Sequence, residues 1–162
     1  MSKKNILLLL TNLLLLTYFF PFQSQAVDLE KANIVLPLND SGQTIKVNAK
    51  ELSRGKKMFN STCSQCHNGG ITKTNPNVGL DIEALSFATP PRNNIANLVD
   101  YMQNPTSYDG IFPINEIHPS TASADIFAKM KNLSDKDLGA IAEYILYQAQ
   151  ENSNWGGGKI YY

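Results

Sequence analysis

Two cysteines and one histidine stand close together in a spacing that suits cofactor chemistry. Cys63, Cys66 and His67 form the pattern C-x-x-C-H, and the chain contains no other cysteine. Two thiols three residues apart can form thioether bonds with the two vinyl groups at one edge of a porphyrin. The adjacent imidazole then reaches the iron as its proximal ligand. The segment therefore predicts one covalently bound haem c, with His67 as an axial ligand of the iron.

A disulfide, a zinc site and a chance match are the alternatives for this segment. A redox-active C-x-x-C disulfide is typical of a helix start within an alternating strand and helix chain, whereas this segment ends a predicted helix. A zinc site would have to use the two cysteines together with His67 and His118, the only histidines of the chain. Tetrahedral zinc sites favour separated pairs of ligands over an adjacent Cys and His. Both comparisons favour haem attachment.

His67 also needs a hydrogen-bond acceptor for its second ring nitrogen, as metal-ligating histidines generally do. The carbonyl group of Pro76, in the loop that follows the motif, is the predicted acceptor. The alternative is that Pro76 only shapes a turn of this loop.

Spacing alone leaves the sixth iron ligand open between Met130 and His118. Met130 lies at a distance from His67 that suits a ligand methionine, whereas His118 lies on an irregular loop. Met102 belongs to a helical apolar stripe, which is more typical of a core residue. A methionine ligand raises the reduction potential of haem iron and a second imidazole leaves it lower. Either ligand saturates the iron, which disfavours peroxidase or oxygenase chemistry and predicts a protein that is not an enzyme.

The N-terminus has the layout of a secretory signal peptide. Two lysines precede an almost wholly apolar run over 6–22, and small residues stand at the two positions that a signal peptidase reads. The alternative is a retained membrane anchor, but the run is just short of a comfortable span and carries an asparagine near its middle. We expect a cleaved signal peptide at 1–26 and an exported domain at 27–162.

Composition and charge argue against a nucleic-acid partner. The chain carries 14 basic and 14 acidic residues, and its hydrophobic content of 43% is ordinary for a globular protein. It contains no block of five or more basic residues of the kind that binds nucleic acid.

Apolar periodicity predicts a mainly α-helical domain. A first helix begins after Asn48, which forms a capping box with Glu51, and it runs toward the C-x-x-C-H segment. Gly55 within it is a weak sign of a close helix crossing. Apolar residues at three- and four-residue steps predict three further helices, which lie over 94–104, over 122–132, and after Ser134 with Asp137 in the capping-box position.

The remaining segments are predicted to be extended or irregular. Residues 27–48 have two strand-like runs around a turn and predict a short N-terminal β-hairpin arm. Residues 68–93 form a long loop whose apolar side chains are expected to pack against a flat cofactor. A second loop over 105–121 carries His118, and a tail over 152–162 ends the chain.

Four longer strings resemble one known family. They are the runs 69–76, 88–92, 104–110 and 155–162. Together they resemble cytochrome c-550, the low-potential extrinsic cytochrome of photosystem II in cyanobacteria and red-lineage plastids. The resemblance covers essentially the whole chain after residue 26. It implies a cytochrome c-like helical fold around one covalently bound haem, with the short N-terminal β-hairpin arm.

The resemblance also implies a sixth ligand and a place of action. The distal histidine of the family lies in a segment like 116–120, so that His118 becomes the second axial ligand of a low-potential, bis-histidine haem. Members of the family bind the lumenal face of photosystem II in the thylakoid lumen, beside other extrinsic subunits and through protein contacts. They help retain calcium and chloride at the manganese cluster and stabilise oxygen evolution without performing it.

The tail offers aromatic residues for such contacts. Trp155, Tyr161 and Tyr162 are of the kind enriched at interface hot spots. The alternative is that the tail packs back on its own domain. A diffusible electron carrier of the lumen is the alternative function, and a weak peroxidase is a third possibility.

Overall fold

The computed structural model describes residues 34–157 of the chain. The expected signal peptide, the first residues of the arm and the last five residues of the tail, with Tyr161 and Tyr162, lie outside the described residues. Two strands and five helices follow one another along the described part. They are β1 (Ile34–Pro37), β2 (Thr44–Val47), α1 (Ala49–Thr62), α2 (Ser64–His67), α3 (Ile82–Phe87), α4 (Ile95–Gln103) and α5 (Asp135–Glu151), with 3-10 turns at Asn68–Gly70 and Ala128–Met130. The mainly helical fold with a short hairpin is therefore confirmed.

The hairpin is fastened to the helical domain. Its strands pair antiparallel, with Ile34 opposite Val47. Leu36 and Val47 are buried in the core, and the carbonyl oxygen of Leu38 accepts a hydrogen bond from the backbone of α4. The hairpin thus covers one end of the core.

The core lies where α1 and α4 pack against α5. The capping boxes predicted for α1 and α5 are both present, Asn48 with Glu51 and Ser134 with Asp137. At the crossing of α1 and α5, a Cβ atom on Gly55 would overlap the carbonyl oxygen of Ala140. The predicted close crossing is therefore confirmed, and it is possible because glycine has no side chain.

The helix predicted over 122–132 is wrong. The segment is a series of turns with only a 3-10 turn at Ala128–Met130. The Ser120 hydroxyl accepts from the Ser123 backbone N–H and also bonds its hydroxyl, an alternative to helical bonding that serine side chains offer the backbone. The apolar stripe is also incomplete, because Ile126 is exposed.

The long loop predicted over 68–93 contains a helix that the sequence pattern did not reveal. Asp81 caps α3 by accepting a hydrogen bond from the backbone N–H of Ala84. The helix has only six residues and one buried side chain, Leu85, which is too short a run for apolar periodicity to indicate.

The beginning of the tail packs back on the domain, so for Trp155 the second of the two alternatives holds. Trp155 is 6% exposed and its ring packs against those of Phe59 and Tyr144. Its indole N–H donates to the carbonyl oxygen of Leu80, at 3.0 Å. Trp155 is therefore a core residue that ties the tail to the first long loop.

Within residues 34–157, no helix has the length and apolar character that crossing a membrane requires.

Candidate haem site

The C-x-x-C-H segment is positioned by the C-terminal end of α1. The backbone N–H of Cys63 donates to the carbonyl oxygen of Phe59, and the N–H groups of Cys66 and His67 donate in turn to that of Cys63. The motif is thus one helical turn that continues α1 with a kink. Gly70 then reverses the chain with a φ of 80°, against the ring of Trp155. The direction in which His67 points is therefore fixed by helix packing.

A cavity of about 400 Å³ opens beside this turn. Ligand pockets of this kind are mostly apolar with a few placed polar groups, and the lining residues fit that description. The apolar part comes mainly from α1, α3, α4 and the two loops; it comprises Phe59, Val78, Leu80, Ala84, Leu85, Ala88, Leu98, Met102, Ile114, Ile117 and Ile145. Cys63, His67 and His118 line the same cavity, and Cys66 is exposed next to them in the chain.

The two thiols are not joined by a disulfide. Burial raises the pKa of the Cys63 thiol to about 12, the charge of Cys66 adds to the rise, and Lys129 opposes it. Cys63 therefore keeps its proton at neutral pH. Among residues 34–157, no group of three or more His, Cys, Asp or Glu side chains is arranged to hold a metal ion. The zinc alternative has no geometric support.

His67 is partly buried and holds its ring through one nitrogen. Its Nδ1 lies 3.2 Å from the hydroxyl oxygen of Thr72. Burial lowers the pKa of His67, and a backbone hydrogen bond with Ile71 partly offsets this effect. Thr72 and the Ile71 backbone are thus the hydrogen-bond partners of the His67 ring, while the predicted acceptor, Pro76, lines a second cleft of about 250 Å³ nearby. The ring of His67 lines the cavity.

His118 faces His67 across the cavity. Its Nδ1 lies 3.0 Å from the carbonyl oxygen of Pro119, which orients the ring and leaves Nε2 for the cavity. Burial lowers the pKa of His118 to about 4, with a smaller contribution from His67, so the imidazole is neutral at pH 7. A neutral imidazole has the free lone pair that a metal requires.

The spacing of the two rings fits a metal ion between them. The ring centroids are 6.1 Å apart. Two metal–nitrogen bonds of about 2 Å each, with the distance from each nitrogen to its ring centre, span about 6 Å. The donor set of two imidazoles, an apolar slot and a thiol at its wall is the set that a covalently attached haem needs. The residues present therefore fit the group.

The two methionines weighed as rivals lie in different places. Met130 is buried among core side chains and is not one of the residues that line the cavity. Met102 lines the cavity from α4 but belongs to the buried stripe of that helix. The structure thus brings His118, and not Met130, opposite His67.

Arg92, Tyr101 and Tyr108 also line the cavity, and sequence reasoning did not single them out. Tyr101 is in ring contact with His118, at 5.1 Å between centroids. The guanidinium of Arg92 lies over the Tyr101 ring, 3.8 Å from its centroid. Their roles depend on contacts between distant segments, which no local pattern reports.

A helical domain with a C-x-x-C-H turn at the wall of an apolar, haem-sized slot defines a c-type cytochrome. Comparison with known proteins gives the family. A family model described as "Cytochrome c-550 domain" matches residues 27–162, and the chain belongs to this family, whose cofactor is a c-type haem.

Curated relatives and a solved structure agree with this assignment. The chain is 58% identical over 151 residues to "Photosystem II extrinsic protein V" of Cyanidioschyzon merolae, covering 93% of this chain and 96% of the relative. It is 54% identical over 155 residues to the protein of the same name in Guillardia theta, covering 95% and 96%. The crystal structure of a cytochrome c549 matches with a TM-score of 0.73 at 50% identity, over 76% of this chain and 95% of that one. These relatives are named as photosystem subunits and cytochromes rather than as enzymes, as predicted.

Proposed function

We propose that this protein is an extrinsic subunit of photosystem II on the lumenal side of the thylakoid membrane. The observation that carries the proposal is the identity of 54–58% to proteins named photosystem II extrinsic protein V, over nearly the whole chain. Export by a signal peptide at 1–26 and association with the membrane through protein contacts belong to the same proposal. The protein stabilises the manganese-calcium cluster by helping to retain calcium and chloride, beside other extrinsic subunits.

One haem is held by thioether bonds to Cys63 and Cys66, and its iron is ligated by His67 and His118. When bound, the haem supplies a one-electron redox centre. His67 is presented by the helical turn that continues α1, and Thr72 orients its ring. His118 is oriented by the Pro119 carbonyl group and stays neutral because it is buried. With His67 and His118 both holding the iron, the haem would have a low reduction potential and would leave no position for peroxide or oxygen.

The surface near the cavity supports contact with a large partner. Four large apolar side chains are exposed on α3 and on the loop that carries His118, namely Phe87, Ile111, Phe112 and Ile117. Exposed large apolar side chains of this kind are candidates for contact with a protein partner. This surface replaces Trp155 as the expected source of apolar contacts, because Trp155 is buried in the core.

Spectroscopy of axial-ligand variants tests the ligation. Replacing His118 with Met is expected to raise the reduction potential and to change the absorption spectrum, because a thioether stabilises ferrous iron more than imidazole does. Met130→Ala is the matched control and should leave both unchanged. If His118→Met leaves the potential and spectrum unchanged while Met130→Ala shifts them, the ligand assignment is wrong.

Reconstitution tests the place of action. The holoprotein is added to photosystem II membranes that have been washed free of extrinsic subunits, and oxygen evolution is measured at low calcium and chloride. Stoichiometric binding with recovered activity is expected, and Phe112→Asp should weaken it. Val35→Asp is a matched control, because Val35 is an exposed apolar residue on the hairpin. A holoprotein that never binds but is rapidly reduced by a lumenal donor is instead a diffusible electron carrier.

A further inference from the structure

Arg92 is a buried cation at the wall of the cavity. Its side chain is 7% exposed and lines the cavity together with the residues of the proposed haem site. Nη2 donates to the carbonyl oxygens of Thr106 and Ser107, at 3.1 and 3.0 Å. The guanidinium carbon lies 3.8 Å from the centre of the Tyr101 ring. These three contacts fix the guanidinium between the loop over 105–121 and the Tyr101 ring, so that it cannot turn away to solvent.

The positive charge of Arg92 has no negative partner in the described part of the chain. The ion pair found within residues 34–157 joins Arg54 and Asp137. Nε of Arg92 is buried without a hydrogen-bond acceptor. A buried charge without a counter-charge costs several kcal/mol, and a buried donor without an acceptor adds to that cost. An anion that binds in the cavity would remove both penalties.

The lining of the cavity cannot supply that anion. No aspartate or glutamate is among the lining residues, and Arg92 is the only one with a permanent charge. The titratable groups that face Arg92 are Tyr101 from α4, and Tyr108 and His118 from the loop over 105–121. Burial raises the pKa of Tyr101, so this phenol stays neutral at neutral pH, and an imidazole is neutral or positive. Neither Tyr101 nor His118 therefore supplies a negative charge.

We propose that the Arg92 guanidinium is the counter-charge for a propionate carboxylate of the bound haem. The inference rests on the proposed haem site, because haem brings two carboxylates into the protein with an otherwise apolar ring. The N–H groups of Arg92 that Thr106 and Ser107 leave free donate to the carboxylate. Such bonds to an ionised group are roughly twice as strong as neutral ones. Arg92 is thus a positioning residue that keeps this carboxylate ionised.

The pairing determines how the reduction potential of the iron depends on pH. A carboxylate beside a fixed guanidinium has a lowered pKa and stays ionised throughout the neutral range. Without the guanidinium, burial in the apolar slot raises the pKa of the carboxylic acid toward neutrality. The reduced iron carries one positive charge less, so the carboxylate binds its proton more tightly in that state. Reduction then takes up a proton, and the potential falls as the pH rises.

Potentiometric titration of the holoprotein between about pH 5 and about pH 9 tests this, because a carboxylate titrates in that range only if its pKa is raised. The variants are Arg92→Gln and Arg92→Lys. The matched control is Arg54→Gln, which removes a guanidinium on α1 that pairs with Asp137 on α5. Arg92→Gln is expected to lower the potential and to give it a slope of up to about 59 mV per pH unit, the value for one proton per electron. The wild type and Arg54→Gln should show a flatter dependence.

A second measurement covers the case in which Arg92→Gln does not fold. Resonance Raman spectra of the wild type and Arg92→Lys report the bending mode of the haem propionates. Arg92→Lys keeps the charge but loses the fork of donors, so this mode should shift, whereas Arg54→Gln should not move it. The inference is overturned if Arg92→Gln adds no pH-dependent step, or if the propionate mode is the same in Arg92→Lys and the wild type. Failure of the underlying haem proposal would instead be seen in the wild type, as a missing haem or a spectrum without two imidazole ligands.

Discussion

His67 and His118 approach the cavity from two walls that the chain supports in different ways. The wall that carries His67 is one helical turn continuous with α1, and its backbone hydrogen bonds join residues no more than seven positions apart. The wall that carries His118 is an irregular loop, fastened by bonds such as Thr89 N–H to the Tyr108 carbonyl group and Thr121 N–H to that of Met102. The first wall is therefore encoded locally, and the second depends on distant segments coming together.

This difference assigns separate tasks to the two walls. The helical wall holds both cysteines, so covalent attachment of the proposed haem would depend on this wall. The loop wall carries His118 and accepts the hydrogen bonds of Arg92 through Thr106 and Ser107, so in the proposed site it would act on the electronic properties rather than on attachment. We therefore expect variants of the helical wall to affect attachment or folding, and variants of the loop wall to affect potential and spectrum.

Removal of both thiols should have the largest effect. In Cys63→Ser with Cys66→Ser, covalent attachment is expected to be lost completely, because a serine hydroxyl does not form the thioether. In His118→Ala, by contrast, the haem should remain attached. Haem staining of denatured protein after electrophoresis checks both variants. A stained band in the double variant, or loss of the stain in His118→Ala, would break the division between the two walls.

Trp155 offers the next largest contrast. It supports the helical wall through Phe59 and lies against Gly70, at the turn that follows His67. Trp155→Ala is expected to lower the free energy of unfolding by about 3–5 kcal/mol, the usual cost of removing a buried large aromatic ring. Ile117, which is 78% exposed at the cavity on the loop wall, is the matched residue, and Ile117→Ala should stay within about 0.5 kcal/mol of the wild type. Denaturant titration of the holoproteins measures both, and equal losses would contradict the comparison.

The difference between the two walls also explains what the sequence allowed us to predict. Patterns that act over a few residues were sufficient to single out the C-x-x-C-H segment and to predict the capping boxes at Asn48 and Ser134 and the close crossing at Gly55. Spacing alone left His118 and Met130 as rivals, because the position of a loop histidine depends on contacts far away in the chain. The burial of Trp155 was left undecided for the same reason, since its partners come from α1, the first loop and α5. Local patterns could not choose between His118 and Met130, and the prediction of His118 as the sixth ligand came from the resemblance to cytochrome c-550.

The helical wall continues α1 and therefore depends on the crossing of α1 with α5. Gly55→Ala places a Cβ against the backbone of Ala140, which the packed helices can relieve only by moving apart. We expect a loss of about 1–3 kcal/mol in the free energy of unfolding, the range for overpacking a core. Gly139, the neighbour of Ala140 on α5, provides the control, because a Cβ there meets nothing within 4 Å. Gly139→Ala should stabilise the protein by up to about 1 kcal/mol through better helix propensity. Destabilisation of similar size in both variants would mean that the crossing is not the cause.

The N-cap of α5 is not among the residues that line the cavity, and its variant should show the smallest effect. The Ser134 hydroxyl donates to an oxygen of Asp137, and the Asp137 backbone N–H donates to the Ser134 oxygen. Ser134→Ala is expected to cost about 1 kcal/mol, the typical value for an N-cap, with no change in the spectrum of the haem.

Bonds from Ser134, followed by the Arg54 guanidinium, lower the pKa of Asp137 from 3.8 to about 2. A lowered carboxyl pKa contributes stability that is fully present above the unfolded value and is lost as the pH falls through the folded value. The difference in unfolding free energy between the wild type and Ser134→Ala should therefore be constant above about pH 5 and shrink as the pH falls from about 4, where the unfolded chain takes up this proton, to about 2, where folded Asp137 does. A difference that stays the same across this range would show that the ionised carboxylate does not strengthen the cap. A change in the haem spectrum of Ser134→Ala would contradict the expectation that this cap has no effect on the haem site.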